Sequence, residues 1–254
     1  MVDVAQHHRS RTPFARLLDL VWPPKCAGCE RRRTPGSLAA HPVFCRLCRP
    51  TVESLPDGCC LTCADPAGAP ERRGAAKCLR CLQYPPPQTR ARAAWIYRGA
   101  VSDAVQGAKY AGQTWRLERL AIGFGRWLQS TRRRPVSAVA VPAHPKDVRR
   151  SGYHVADLLL RLTVKDNGGL RPAWDVLSKS RRTVPQASLP LEKRRANVRG
   201  VFTADPSRVD GKDWLLVDDV ITTGSTVTAA ASALVKAGAR SVEVAALARA
   251  GRPG

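Results

Sequence analysis

The sequence predicts an α/β domain built on a largely parallel sheet, preceded by a cysteine-rich module. Three observations carry that prediction. Beyond residue 90, short apolar runs alternate with helical patterns. Four CxxC pairs crowd ahead of the run Pro85, Pro86, Pro87. A chain of 254 residues with 44% hydrophobic content is long enough for one α/β core and a smaller appendage.

Taken in order, residues 13–20 read as one short amphipathic helix. From 22 to 84 the chain lacks sustained periodicity and is punctuated by Pro, Gly and Cys, so it cannot bury a core of its own and needs a covalent or metal staple. The triproline is a stiff break, and every cysteine precedes it. Two domains are therefore expected, residues 13–84 and 85–254. The second reads as strand 93–97, helices 101–110 and 117–128, strand 136–141, helix 153–162 and strand 174–177. It ends with strand 214–217, helix 226–237 and strand 242–247. Strands alternating with helices of this length require crossover connections, hence a parallel sheet. No repeat is evident outside the cysteine pairs.

The formal charge of +22, from 42 Lys and Arg against 20 Asp and Glu, favours a polyanionic partner such as nucleic acid or a phosphorylated small molecule. A solvated basic coat is the competing reading, and an anionic membrane surface a weaker one. The apolar stretch 14–22 is broken by Arg16 and Asp19 and is too short for a signal-peptide core. No run approaches the roughly 18 apolar residues of a membrane span. A cytoplasmic, reducing location follows as the expectation, in which the nine cysteines bind metal rather than form disulfides.

The pairs are Cys26 with Cys29, Cys45 with Cys48, Cys60 with Cys63, and Cys78 with Cys81. Two residues between thiolates let one tight turn offer both sulfurs to a tetrahedral ion, and two such turns close a four-sulfur site. Eight ligands make two zinc ions. Similar gaps favour pairing of consecutive knuckles; an interleaved pairing uses the same residues. Cys59 is left over. Closed four-cysteine sites offer no open position, so this zinc is structural.

The segment Trp214, Leu215, Leu216, Val217, Asp218, Asp219, Val220, Ile221, Thr222, Thr223, Gly224, Ser225, Thr226 reads as a buried strand, a hydroxyl-rich turn and a helix start. Free N–H groups at a helix amino terminus attract phosphate, a glycine permits close backbone approach, and hydroxyls add donors. Two carboxylates at the end of a strand suit the vicinal hydroxyls of a ribose, directly or through magnesium. The competing reading is a capping turn with a solvated acidic pair. A nucleotide-hydrolase loop is disfavoured, because no GK[ST] follows a Gly-rich turn.

This segment resembles the phosphoribosyl pyrophosphate signature of type I phosphoribosyltransferases. The resemblance implies ribose contacts from Asp218 and Asp219 and 5′-phosphate contacts from Thr222, Thr223, Gly224, Ser225 and Thr226. The four CxxC pairs, Lys109 with Tyr110, Val141 with Pro142, Gly152 with Tyr153, Gln186, Arg195, Asn197 and the acidic pair extend it to nearly the whole chain, which is similar to the ComF competence family. That family joins a double zinc ribbon to a phosphoribosyltransferase domain and is linked to DNA uptake. The resemblance implies that Val141, Pro142, Ala143, His144, Pro145 and Lys146 face the pyrophosphate, with Arg149, Arg150 and Lys109 as further cations, and that residues 179–199 form the mobile active-site loop. One departure is Arg150, Ser151, Gly152, Tyr153, His154, Val155, where the family has Arg before Gly-Phe-Asn-Gln.

Three functions compete. One is magnesium-dependent transfer of ribose 5-phosphate to a nitrogen acceptor, for which no base pocket is legible. The second is a single-stranded DNA factor working with other competence proteins, in which Trp95, Tyr97 and Arg98 stack bases, although a buried strand explains Trp95 equally well. The third is sensing of phosphoribosyl pyrophosphate without turnover.

Overall fold

In the computed structural model the described residues are 23–33, 42–67, 76–131, 136–165, 167–182, 198, 200–209 and 211–251. The helix expected at 13–20 lies outside them, as do Gln186, Arg195 and Asn197 of the segment 179–199 expected to form the active-site loop. After a short helix α1 (Leu79–Gln83) come β1 (Arg90–Ile96), α2 (Gly99–Tyr110), α3 (Trp115–Thr131), β2 (Val136–Ala140), α4 (Pro145–Ser151) and α5 (Val155–Val164). The chain continues through β3 (Leu170–Pro172), β4 (Leu177–Lys179), β5 (Phe202–Ala204), α6 (Pro206–Val209), β6 (Asp213–Ile221), α7 (Ser225–Lys236) and β7 (Ser241–Arg249).

Five strands form one sheet in the order β1-β7-β6-β2-β3, with every pairing parallel. Both faces are covered, which is why the central strands read as nearly unbroken apolar runs. Alternate residues divide between two layers. Leu215 and Val217 of β6 pack with α2, α3 and α5, whereas Trp214 and Leu216 pack beneath α7. On α3 the residues Leu117, Leu120, Ala121, Phe124 and Leu128 recur at helical spacing and are all buried.

The cysteine-rich segment clasps the β1 edge. Cys26, Ala27, Val43 and Phe44 belong to the same core layer as Trp95, and Phe44 meets Trp95 edge to face at 6.1 Å. Buried Arg116 on α3 donates to the carbonyls of Ala27 and Gly28 and to Glu30, whose carboxylate lies at 2.6 Å. Along the open side of β1, Ala91 donates to the Leu61 carbonyl at 3.0 Å and Ile96 to that of Glu53 at 2.8 Å. An edge that would otherwise present free N–H groups is thereby closed.

The strand expected at 174–177 is displaced. Asp175 has φ of 61°, a left-handed conformation that interrupts extended backbone, and Trp174 lies under the Arg161 guanidinium at 4.1 Å. Extended chain falls on either side instead, in β3 on the main sheet and in β4, which pairs antiparallel with β5 as a separate ribbon.

Trp95 is 8% exposed and built into the core, so it is no platform for bases. Trp95→Ala is expected to lower unfolding free energy by about 3–5 kcal/mol in urea titration. Unchanged stability would return the ring to the surface.

Candidate functional site

The connection from β2 leads to β3 on one side, and that from β6 leads to β7 on the other. The crevice outside the carboxyl ends of β2 and β6 is thus a topological switch point, the position where open α/β sheets take their ligands. Ala140 is in register with Val217, and Val141 donates to the Val217 carbonyl at 2.8 Å. This brings the start of the 141–146 segment level with Asp218.

Asp218 and Asp219 are each 8% exposed. Asp218 Oδ1 accepts the Asp219 N–H at 2.9 Å, and Asp219 Oδ1 accepts the Val220 N–H at 2.6 Å. Lys109, from the last turn of α2, reaches Asp219 Oδ2 at 2.7 Å. The two carboxyls consequently diverge. Burial, then the neighbouring Asp219 charge, pushes Asp218 well above the ordinary carboxylate range. Burial also acts to raise Asp219, but the Lys109 ammonium outweighs it and holds that group below its usual value. Lys109 is itself raised, since its attraction to Asp219 exceeds the cost of burial. Near them lies His154, lowered by burial, with Nδ1 lacking a hydrogen-bond partner among the described residues.

Beyond β6 the chain turns through Thr222, Thr223 and Gly224 into α7. Gly224 has φ of 80° at the helix cap, a conformation that penalises a side chain, and its surroundings would leave room for a Cβ. Thr223 Oγ1 lies 3.0 Å from Ser225 Oγ and accepts the Ser225 N–H at 3.4 Å. The turn is held from behind by Arg249, only 2% exposed at the end of β7. Its guanidinium donates to the carbonyls of Ile221 at 3.1 Å and Ala250 at 2.6 Å, to that of Thr222, and to that of Cys63 at 3.3 Å.

The 142–146 segment is partly helical rather than a loop. Pro145 opens α4, and His144 caps it by accepting the Lys146 N–H on Nδ1 at 3.2 Å. Pro142 and Ala143 are half-buried at its root, while Lys146, Arg149 and Arg150 are exposed. At the departure from the family pattern, Gly152 takes φ of 81° and the Tyr153 hydroxyl donates to the Ala108 carbonyl, tying α2 to the turn before α5. Arg249, His154, Tyr153 and Arg116 were not singled out as site residues by the sequence. A charged residue ending the apolar run 244–248 is the one signal that marked Arg249.

The eight paired cysteines converge in two groups, Cys26, Cys29, Cys45, Cys48 and Cys60, Cys63, Cys78, Cys81, with the sulfurs of each group within 4.8 Å of one another. Consecutive knuckles therefore pair. Cys29 and Cys45 sulfurs are 3.7 Å apart, and those of Cys63 and Cys78 are 3.8 Å apart. Tetrahedral zinc with bonds of about 2.3 Å sets its sulfurs roughly 3.8 Å apart, so both groups fit such an ion. The groups repeat one design: the Cys45 N–H donates to Cys26 Sγ at 3.3 Å, and the Cys78 N–H to Cys60 Sγ at 3.2 Å. Burial alone would raise Cys45 and Cys60, but backbone N–H donors outweigh it and bring each thiol to about 7.

Residues 166–253 match the phosphoribosyl transferase domain family. The chain is similar to the DNA utilization protein YhgH of Escherichia coli O157:H7, at 30% identity over 80% of this chain and 95% of that protein. The Salmonella typhi protein of that name is 31% identical over 85% of this chain and 94% of its own. Competence protein F of Haemophilus influenzae is 28% identical over 82% of this chain and 90% of its own. No helix among the described residues is long and apolar enough to cross a membrane.

Two expectations follow. Elemental analysis should find close to two zinc ions per chain, and Cys26→Ser with Cys45→Ser should lose one of them; absence of zinc would refute the assignment. Lys109→Met should destabilise the protein by roughly 2 kcal/mol at neutral pH, because it leaves the Asp219 carboxylate buried and unpaired. The depressed Asp219 pKa contributes stability that is present above the unfolded value of about 3.9 and is lost as pH falls through the lower native value. The deficit should accordingly shrink in strong acid, and thermal melts against pH will show whether it does.

Proposed function

This chain belongs to the ComF competence family, and on that premise we propose that it binds phosphoribosyl pyrophosphate with magnesium in the service of DNA uptake. The observation that carries this reading is the acidic pair at the sheet's switch point, followed at once by the hydroxyl-lined turn into α7. Asp218 and Asp219 take the ribose hydroxyls and the metal side of the donor. Thr222, Thr223, Gly224, Ser225 and Thr226 take the 5′-phosphate through backbone N–H groups and hydroxyls. Pro142, Ala143, His144 and Lys146 border the pyrophosphate, and Lys109 adds a cation beside it.

Magnesium fits the donor set. Hard oxygen ligands suit it, and the Lys109 charge cancels only one of two adjacent carboxylates. Asp218 is held above its ordinary pKa by burial, so its ionised form costs stability at neutral pH until a cation or a hydroxyl donor faces it. When bound, magnesium supplies neutralisation of the pyrophosphate charge. The chain's own part is to hold the ribose against the acidic pair and the phosphate against α7.

For DNA, the support is the +22 charge together with relatives named for DNA utilization and competence. Single-stranded DNA and other competence proteins are the partners this implies. The four-thiolate sites accord with a reducing, cytoplasmic location.

Asp218→Asn with Asp219→Asn should keep the fold and both zinc ions yet weaken phosphoribosyl pyrophosphate binding at least 100-fold in calorimetry with magnesium present, a loss of about 2.7 kcal/mol. Unchanged affinity would reduce the kinship to one of fold. Pyrophosphate release on adding nitrogen acceptors separates a transferase from a sensor.

A further inference from the structure

The second cysteine group is bonded to the turn into α7 through a single side chain. Cys63 offers its sulfur to that group and its carbonyl, at 3.3 Å, to Nε of Arg249. The same guanidinium donates to the carbonyls of Ile221, Thr222 and Ala250. One residue and one side chain therefore separate a candidate metal ligand from the backbone that shapes the turn. Register explains the position. Arg249 ends β7 level with Ile221 of β6 and Ile96 of β1, between the turn and the edge that the cysteine segment clasps.

The carbonyls of this knuckle are gripped one after another. Leu61 accepts the Ala91 N–H at 3.0 Å, and Thr62 accepts the Gln88 amide at 3.3 Å. That amide nitrogen also lies 3.5 Å from Thr228 Oγ1 in the first turn of α7, a second tie to the same place. The first cysteine group is anchored elsewhere. Its buried arginine, Arg116, donates to Ala27, Gly28, Glu30 and Gln113, within the cysteine segment and at the approach to α3.

A buried guanidinium keeps its charge, so it cannot answer a lost acceptor by losing a proton. Backbone around a four-thiolate site is ordered by the ion that the site holds. Loss of that ion would release the Cys63 carbonyl, and Arg249 would re-seat by changing its bonds to the turn.

We propose that Arg249 is a positioning residue through which a metal ion held by Cys60, Cys63, Cys78 and Cys81 orders the turn into α7, so that the second cysteine group controls anion binding there. The consequence for phosphoribosyl pyrophosphate rests on the function proposed above; the coupling between ion and turn does not.

Backbone amide exchange of the full chain, resolved by NMR without ligand, tests the coupling. Two amides report on the turn: Ala250, bonded to the Ile221 carbonyl at 2.9 Å, and Thr228, bonded to the Gly224 carbonyl at 2.9 Å. Removing the second ion through Cys60→Ser with Cys78→Ser should speed both roughly tenfold, while Leu216 and Val244 inside the sheet keep their protection. Removing the first through Cys26→Ser with Cys45→Ser should leave both within about twofold. Arg249→Lys keeps the charge but loses the fork, and should speed both reporters roughly tenfold with two ions retained. This variant decides the matter if loss of the second ion unfolds the sheet as well. In calorimetry, phosphoribosyl pyrophosphate should bind the Arg249→Lys and second-ion-free proteins roughly tenfold more weakly than the parent. A parent that binds none overturns the donor reading, and the exchange rates still decide the coupling. Equal acceleration on loss of either ion, donor affinity unchanged in both altered proteins, or Arg249→Lys reporters that exchange as in the parent would overturn the proposal.

Discussion

One buried guanidinium holds the two halves of this molecule in a common frame. Arg249 cannot shed its charge and carries five N–H donors, so burying it demands acceptors around it. It finds them in carbonyls of the turn after β6 and of the second cysteine group. The turn is thus positioned from behind by the last strand and from the side by the cysteine module. A cysteine-rich segment with little periodicity of its own becomes part of the wall that shapes the turn into α7.

The acidic pair shows the opposite economy of charge. Two carboxylates at the end of a buried strand repel each other and lose solvation, and a single ammonium settles only one of them. Such unresolved charge is unfavourable to the fold, and it persists here at the one place where the sheet opens to ligands. Beside it Nδ1 of His154, unpartnered among the described residues, repeats the pattern of polar groups left without a partner there. Stability and binding are in tension at this crevice, and the surrounding core of fully buried Leu216, Val217 and Ala246 carries the difference.

Much of this was legible in the sequence, for identifiable reasons. The strand, turn and helix start around the acidic pair were visible because an unbroken apolar strand, two acids and a hydroxyl run follow one another in a local stretch. The cysteine sites were visible because CxxC spacing is itself a geometric statement. Elements that depend on a single residue's backbone were not. Asp175 in a left-handed conformation moved a strand that apolar composition placed at 174–177. Pro145, read as part of a loop, instead opens a helix, where its missing N–H costs nothing. Arg249 escaped because three of its four acceptor carbonyls lie 27, 28 and 186 residues away, beyond the reach of any local pattern.

The sheet order also governs how the chain must assemble as it is made. β1 is the first strand synthesised and its sheet neighbour β7 is the last, so on the ribosome β1 emerges without the partner that completes its ladder. Nascent strands in that position are prone to pair with other chains. The cysteine module, already complete by then, supplies Leu61 and Glu53 to one side of β1 in the finished fold. Metal capture by the two cysteine groups ahead of the sheet would therefore give this protein a built-in escort for the first strand of its sheet, and a zinc-starved cell would then be expected to accumulate aggregates of it rather than inactive monomers.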